Sequence, residues 1–236
     1  MSGNWQIQAG ITAPNAGVFL AGDLQNQGSA ASGTMLLSDL TLPNSCSAVV
    51  QPLSFTGTAS FDRGLVLTSA PAAGSVVSVS LEIPSATYAI VTGTVAISGP
   101  VCNYSASSAV AAQIESVSGA FTGTLSSANL LQPPTVSLAL TQAATAVNGQ
   151  FPLTGTLQLT GPYCNVNYGL SGAIGGIHLS LVSPPDPVTG VSSASVSAYT
   201  NNVSSQLSNV AVTFAAGPCL SNLPSYDIYT GTLTKQ

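Results

Sequence analysis

Along almost the whole chain apolar and polar residues alternate with a period of two, and no long stretch carries the 3.6-residue stripe of an amphipathic helix. Gly, Pro, Asn and Ser clusters, which suit turns, bound these alternating runs and so predict sixteen short strands. In the first half the strands are expected at 5–9, 18–24, 34–40, 53–61, 65–68, 76–83, 88–97 and 109–116. In the second half they are expected at 121–125, 136–140, 151–160, 166–170, 177–182, 194–199, 206–214 and 226–233.

The strands carry a recurrent signature. Residues 92–103 read TGTVAISGPVCN and residues 154–165 read TGTLQLTGPYCN, with seven of twelve positions identical. A shortened copy, Ala216-Gly217-Pro218-Cys219, lies near the C-terminus. The tripeptide Thr-Gly-Thr occurs at 56–58, 92–94, 122–124, 154–156 and 230–232. On a strand its threonines share one face and its glycine the other, together with aliphatic neighbours such as Val95, Ile97, Leu157 and Leu159. The glycine therefore faces the core, where it either lets the sheet bend sharply or admits a neighbouring backbone. Such curvature, built in five times, belongs to a closed or strongly coiled sheet.

The four cysteines, Cys46, Cys102, Cys164 and Cys219, are separated by 56, 62 and 55 residues. First-to-third and second-to-fourth separations are then 118 and 117, a repeat of about half the chain. Two β repeats are expected, residues 1–117 and 118–236. No pair has C-x-x-C spacing and one histidine cannot complete a finger-like zinc site, so structural disulfides are the expectation and no metal or cofactor is implied. The expected pairing is Cys46–Cys102 and Cys164–Cys219, one bridge within each repeat. If each half is an up-and-down meander, its cysteine loops follow the third and seventh strands and emerge at the same end. The expected fold is all-β: two tandem antiparallel eight-stranded barrels, or barrel-like sandwiches, with one disulfide in each.

Composition narrows the setting. Of 236 residues 45% are hydrophobic but only 4% charged, against roughly 25% in an ordinary soluble domain. Seven carboxylates face Arg63 and Lys235, for a net charge of −5 with His178 neutral. Two cations cannot form the basic stripe that nucleic acid requires, so nucleic-acid binding is excluded. No apolar run is long enough for a transmembrane helix. Disulfides imply an oxidising compartment: periplasm, cell surface or medium. Met1-Ser2-Gly3 reads as the start of a mature or recombinant fragment whose export signal has been removed. With few ion pairs for protonation to break, tolerance of acid is expected.

Three features together, Ser2-Gly3-Asn4-Trp5 at the start, the Thr-Gly-Thr strands and the cysteine loops after Gly-Pro, resemble the Gly/Ser/Thr-rich exported lipoproteins of acidobacterial type. That resemblance implies an extracytoplasmic, lipid-anchored or secreted β protein and supplies no site residues. The anchor cysteine of such a lipoprotein does not stand near residue 1 in this sequence.

Catalytic chemistry is sparsely represented. His178 lies in Gly176-Ile177-His178-Leu179-Ser180 on the face opposite two aliphatics and reads as a surface or packed strand residue. No G-x-S-x-G elbow accompanies it. The carboxylates Asp23, Asp39, Asp62, Glu82, Glu115, Asp186 and Asp227 are isolated, and a glycoside hydrolase would need two of them across a cleft. A ligand platform could instead form from Tyr163, Asn165, Asn167, Tyr168 and Tyr226, where rings and amides gather around the second pair of cysteine loops. The expected function is a non-catalytic extracytoplasmic surface or envelope module, for adhesion, structure or assembly. Its expected partners are a glycan, cell-wall material or further copies of itself. A lipocalin-like carrier of a small apolar ligand and a carboxylate-based glycoside hydrolase are the alternatives.

Overall fold

The computed structural model describes residues 2–10, 17–39, 44–60, 64–82, 91–127, 133–161, 164–214 and 227–236. Within them lie sixteen strands: β1 (Gly3–Ala9), β2 (Val18–Gln27), β3 (Ala30–Asp39), β4 (Pro52–Ser60), β5 (Gly64–Ser69), β6 (Val76–Glu82), β7 (Val91–Ser98) and β8 (Tyr104–Ile114). The series continues with β9 (Gly119–Ser126), β10 (Thr135–Gln142), β11 (Phe151–Gly161), β12 (Cys164–Gly175), β13 (His178–Val182), β14 (Ala194–Thr200), β15 (Gln206–Phe214) and β16 (Asp227–Lys235). Every expected strand has its counterpart. A short 3-10 turn, Asn44–Val49, joins β3 to β4, and periodicity alone does not predict it.

Strands β1–β8 close into one antiparallel barrel and β9–β16 into another. Each is an up-and-down meander whose last strand pairs with its first, β8 with β1 and β16 with β9. Closure removes the free edges on which a strand-rich chain would otherwise aggregate. The chain divides into two compact units, residues 1–114 with 146–151, and residues 115–145 with 152–236.

In the first barrel the alternation places Trp5, Ile7, Leu20, Met35, Leu37 and Phe55 inside, each fully or almost fully buried. They belong to one contiguous apolar cluster that also takes in Val79, Leu81, Val95 and Ile97. In the second barrel Phe121, Leu138, Leu157, Leu181, Val212 and Leu233 are buried in the same way. Two tight hairpins illustrate the turn chemistry. Ala73-Gly74 joins β5 to β6 and Asn148-Gly149 joins β10 to β11, with all four residues at φ between 49° and 81°. Positive φ at both central positions matches the twist of the flanking strands, and glycine and asparagine reach it at least cost.

The Thr-Gly-Thr glycines face inward, and the space they leave is occupied. A Cβ placed on Gly57, Gly93, Gly123, Gly155 or Gly231 would come within 3.0 Å of a neighbouring strand's carbonyl oxygen, a distance real side chains do not tolerate. Gly57, Gly93, Gly155 and Gly231 stand directly opposite Leu67, Leu81, Leu140 and Leu125, all buried. Each glycine thus lets the adjacent strand fold in close, while the leucine across from it fills the interior.

The predicted Cys46–Cys102 bridge is present, with its Cα atoms 4.8 Å apart. Cys46 sits in the 3-10 turn after β3 and Cys102 follows β7, so the loops after two odd-numbered strands meet at one barrel end. Both residues are buried. The expected Cys164–Cys219 bridge lies outside what is described, since residue 219 and the Cys164 side chain are not among the described positions.

Candidate functional site

The residues expected to form a ligand platform divide between the two faces of β12. Asn165 and Asn167 are exposed on the outer wall, whereas Tyr168, of the opposite parity, turns inward. Its ring lies 5.6 Å from that of Phe214, which in turn meets Tyr229 edge-on at 5.5 Å and 81°. Phe214 and Tyr229 are wholly buried. Partial burial raises the Tyr168 phenol above its ordinary pKa of 10.0, so it stays neutral. The three rings pack the interior towards the end where β11, β13 and β15 finish. Tyr163 and Tyr226 lie outside the described residues. The first barrel uses Tyr104 similarly, half-buried against the core cluster.

The outer walls carry ordered hydroxyls. On the first barrel the register aligns Gln25 with Ser32, Ser32 with Thr56, Thr56 with Thr68, Thr68 with Ser78, Ser78 with Ala96 and Ala96 with Ser105. Ser32, Thr56, Thr68 and Ser78, four consecutive strands of this row, are all exposed. A parallel row aligns Thr58, Val66, Ser80 and Thr94, also exposed. The second barrel aligns Thr124, Thr135 and Thr160 in the same manner. Apolar residues inside and hydroxyls outside reverse the polarity of a membrane-spanning barrel, whose outward band is apolar.

His178 opens β13 and pairs in register with Tyr199 of β14. Both side chains are exposed, with ring centroids 5.1 Å apart and planes inclined at 48°. Partial burial lowers the imidazole pKa from its ordinary 6.5, which keeps the ring neutral near pH 7.

Two carboxylates, Asp186 and Asp23, serve local structure. Asp186, in the loop after β13, accepts hydrogen bonds from the backbone N–H groups of Val188 at 2.9 Å and Thr189 at 2.8 Å. Those bonds hold its pKa below the ordinary 3.8. Asp23, half-buried on β2, is pushed up by desolvation, in part offset by the 2.7 Å hydrogen bond that it accepts from the Gln25 side-chain amide. Glu82 ends β6 and Glu115 follows β8. Asp62 and the side chains of Asp39 and Asp227 lie outside the described set. Among the described residues no three of His, Cys, Asp and Glu form a metal-binding group.

These shifts act on stability in opposite senses. His178, lowered on folding, subtracts stability as the pH falls below 6.5, because the unfolded chain then binds the proton better. Asp186 withdraws its contribution as the pH falls through and below 3.8. Asp23, raised on folding, adds stability as acid protonates it. The melting temperature should therefore decline only shallowly from pH 7 to pH 3, as calorimetry at stepped pH would record; a collapse in that range contradicts it.

The fold and its surfaces define a class: an all-β protein of closed eight-stranded antiparallel barrels with aliphatic interiors and hydroxyl-lined walls. Comparison of the chain with family models, with curated proteins and with solved structures finds no match.

Proposed function

We propose that this protein is a non-catalytic extracytoplasmic surface or envelope module, serving adhesion, structure or assembly. The observation that carries the proposal is the exposed row Ser32, Thr56, Thr68 and Ser78, hydroxyls held in strand register on a rigid, closed wall. Such a wall offers donors and acceptors at regular spacing without the charge that keeps proteins apart. Its complement is another hydroxyl-rich, uncharged surface: a glycan, cell-wall material or a further copy of the chain. The Cys46–Cys102 bridge supports export to an oxidising compartment. Resemblance to exported lipoproteins points the same way.

The barrel interiors favour this reading over a small-molecule carrier. Inward glycines could have left room for a ligand, but neighbouring backbone and opposed leucines take that space. The carboxylates of Asp23 and Asp186 are engaged in local hydrogen bonds rather than aimed at a shared point.

The test is co-sedimentation of the full chain with purified cell-wall sacculi and outer-membrane vesicles, alongside analytical ultracentrifugation of the protein alone. Wild-type protein should pellet with envelope material or self-associate. A Thr56→Lys, Thr68→Lys, Ser78→Lys variant should fold normally and lose most of that retention or self-association, because three ammonium groups replace three of the row's four hydroxyls. A strictly monomeric protein without retention on envelope material overturns the proposal.

A further inference from the structure

The second barrel places two aromatic rings side by side on its outer wall. Side chains on β13 and β14 alternate cleanly, with Leu179, Leu181, Val196 and Ala198 buried inside. His178 and Tyr199 take the outward positions, and Tyr199 remains 43% exposed, the only aromatic among the large exposed apolar side chains described. A tyrosine left this accessible forgoes a large part of the burial that makes aromatic residues stabilising in a core.

The surrounding wall is specialised as well. Ser208 of β15 is the register partner of Tyr199, and its hydroxyl donates to the Tyr199 carbonyl at 3.3 Å. At this point β15 bulges: its register slips against both β14 and β16, and Asn209 adopts φ 47°. Bulges bend a strand and re-aim side chains, and they are over-represented beside functional sites. This one leaves the Asn209 side chain exposed next to the ring pair's row. Ser180 and Ser197 form the adjacent outward pair. No Asp, Glu, Lys or Arg occurs on β13, β14 or β15.

The geometry points to a binding platform for the neutral pyranose units of a polysaccharide, formed by the tilted rings of His178 and Tyr199. One face of a pyranose is lined by C–H groups and packs on an aromatic π-face, while its rim carries hydroxyls that need uncharged donors and acceptors. The ring pair supplies the first, and Ser180, Ser197 and Asn209 supply the second. Two rings inclined at 48° on the exposed wall make an open, unenclosed surface. That shape suits a residue within an extended chain, which enters and leaves along the wall. An anionic polymer gains nothing here, since these three strands carry no Lys or Arg to pair with it. This inference rests on the surface-module reading and narrows its partner to one chemical class.

Affinity electrophoresis of the full chain tests it, in native gels containing hydroxyethylcellulose, galactomannan or, as an anionic control, alginate. Wild-type protein should be retarded by at least one of the neutral polymers and not by alginate. Tyr199→Ala should lose about tenfold or more in affinity, whereas Tyr199→Phe, which keeps the ring, should bind like wild type. His178→Ala, expected to weaken binding less, provides a second variant, and matching far-UV circular dichroism verifies the fold of each. Equal retardation of wild type and Tyr199→Ala overturns the platform, as does retardation by alginate alone or by no polymer. If wild type pellets with envelope material or self-associates but no neutral polymer retards it, the platform falls and the surface module stands. If wild type neither pellets, self-associates nor is retarded, both fall.

Discussion

Replacing Cys46 and Cys102 together by alanine should lower the stability of the first barrel by about 4 kcal/mol, the chain-entropy value for a closed loop of this length. The bridge joins positions 56 residues apart and so restricts a long stretch of the unfolded chain. The loop it closes contains β4, β5, β6 and β7, half of the barrel's strands. Both half-cystines are buried, so alanine also leaves a small void that adds to the loss. A drop of roughly 15–25 °C in melting temperature is expected for a domain of this size. The probe is already in place: Trp5, the single tryptophan, is fully buried in this barrel, so its fluorescence follows the relevant transition. A shift of only a few degrees would mean that the bridge restricts little of the unfolded chain.

The second large effect is expected at a position where only one methyl group is added. Gly57→Ala should destabilise by about 2–3 kcal/mol, in the range for overpacking a well-filled interior. Its new Cβ would press on the Val66 carbonyl and on Leu67 Cα at 2.9 Å, and both are main-chain atoms of the paired strand, unable to swing aside. Gly93→Ala and Gly155→Ala meet the carbonyls of Ser80 and Ala139 in the same way. Gly169→Ala is the internal control. Gly169 lies on the exposed face of β12, at ordinary negative φ, and no atom stands within 4 Å of the place its new methyl would take. There the substitution should be neutral or stabilise by up to about 1 kcal/mol, through a less flexible unfolded chain. Urea denaturation with an unchanged slope separates the two outcomes; equal costs at Gly57 and Gly169 would remove the close-approach explanation of Thr-Gly-Thr.

The strand inventory was legible because a barrel wall has only two sides. With one face packed and the other wet, period-two alternation marks both the strand and its orientation, as in Val76–Glu82. Boundaries were less legible where small residues blur that contrast. Tyr104–Ile114 begins five residues before the expected start, because Ser105 to Ser108 read as turn chemistry yet belong to the strand that pairs with β7. Cys164–Gly175 runs beyond Leu170 because Gly172 faces the interior opposite Leu181 and continues the ladder instead of ending it. The platform expected around the second cysteine loops combined Asn165 and Asn167 with Tyr168. Neighbouring positions on a strand point to opposite faces, and Asn165 and Asn167 stand on the exposed side of β12 while half-buried Tyr168 takes the other.

The chain's own order of residues determined the closed meander of short strands, their inward and outward faces, the bridge between Cys46 and Cys102 and the nearly uncharged exterior. Each of these follows from local alternation, from spacing or from composition. Which residues become neighbours across strands was decided only in three dimensions. The pairing of His178 with Tyr199, the bulge at Asn209 beside them and the leucine opposite each of four glycines all depend on register. Register is a property of the closed barrel as a whole: slipping one strand by a single residue would turn its entire apolar set outward, so no strand's partners can be assigned until all are in place.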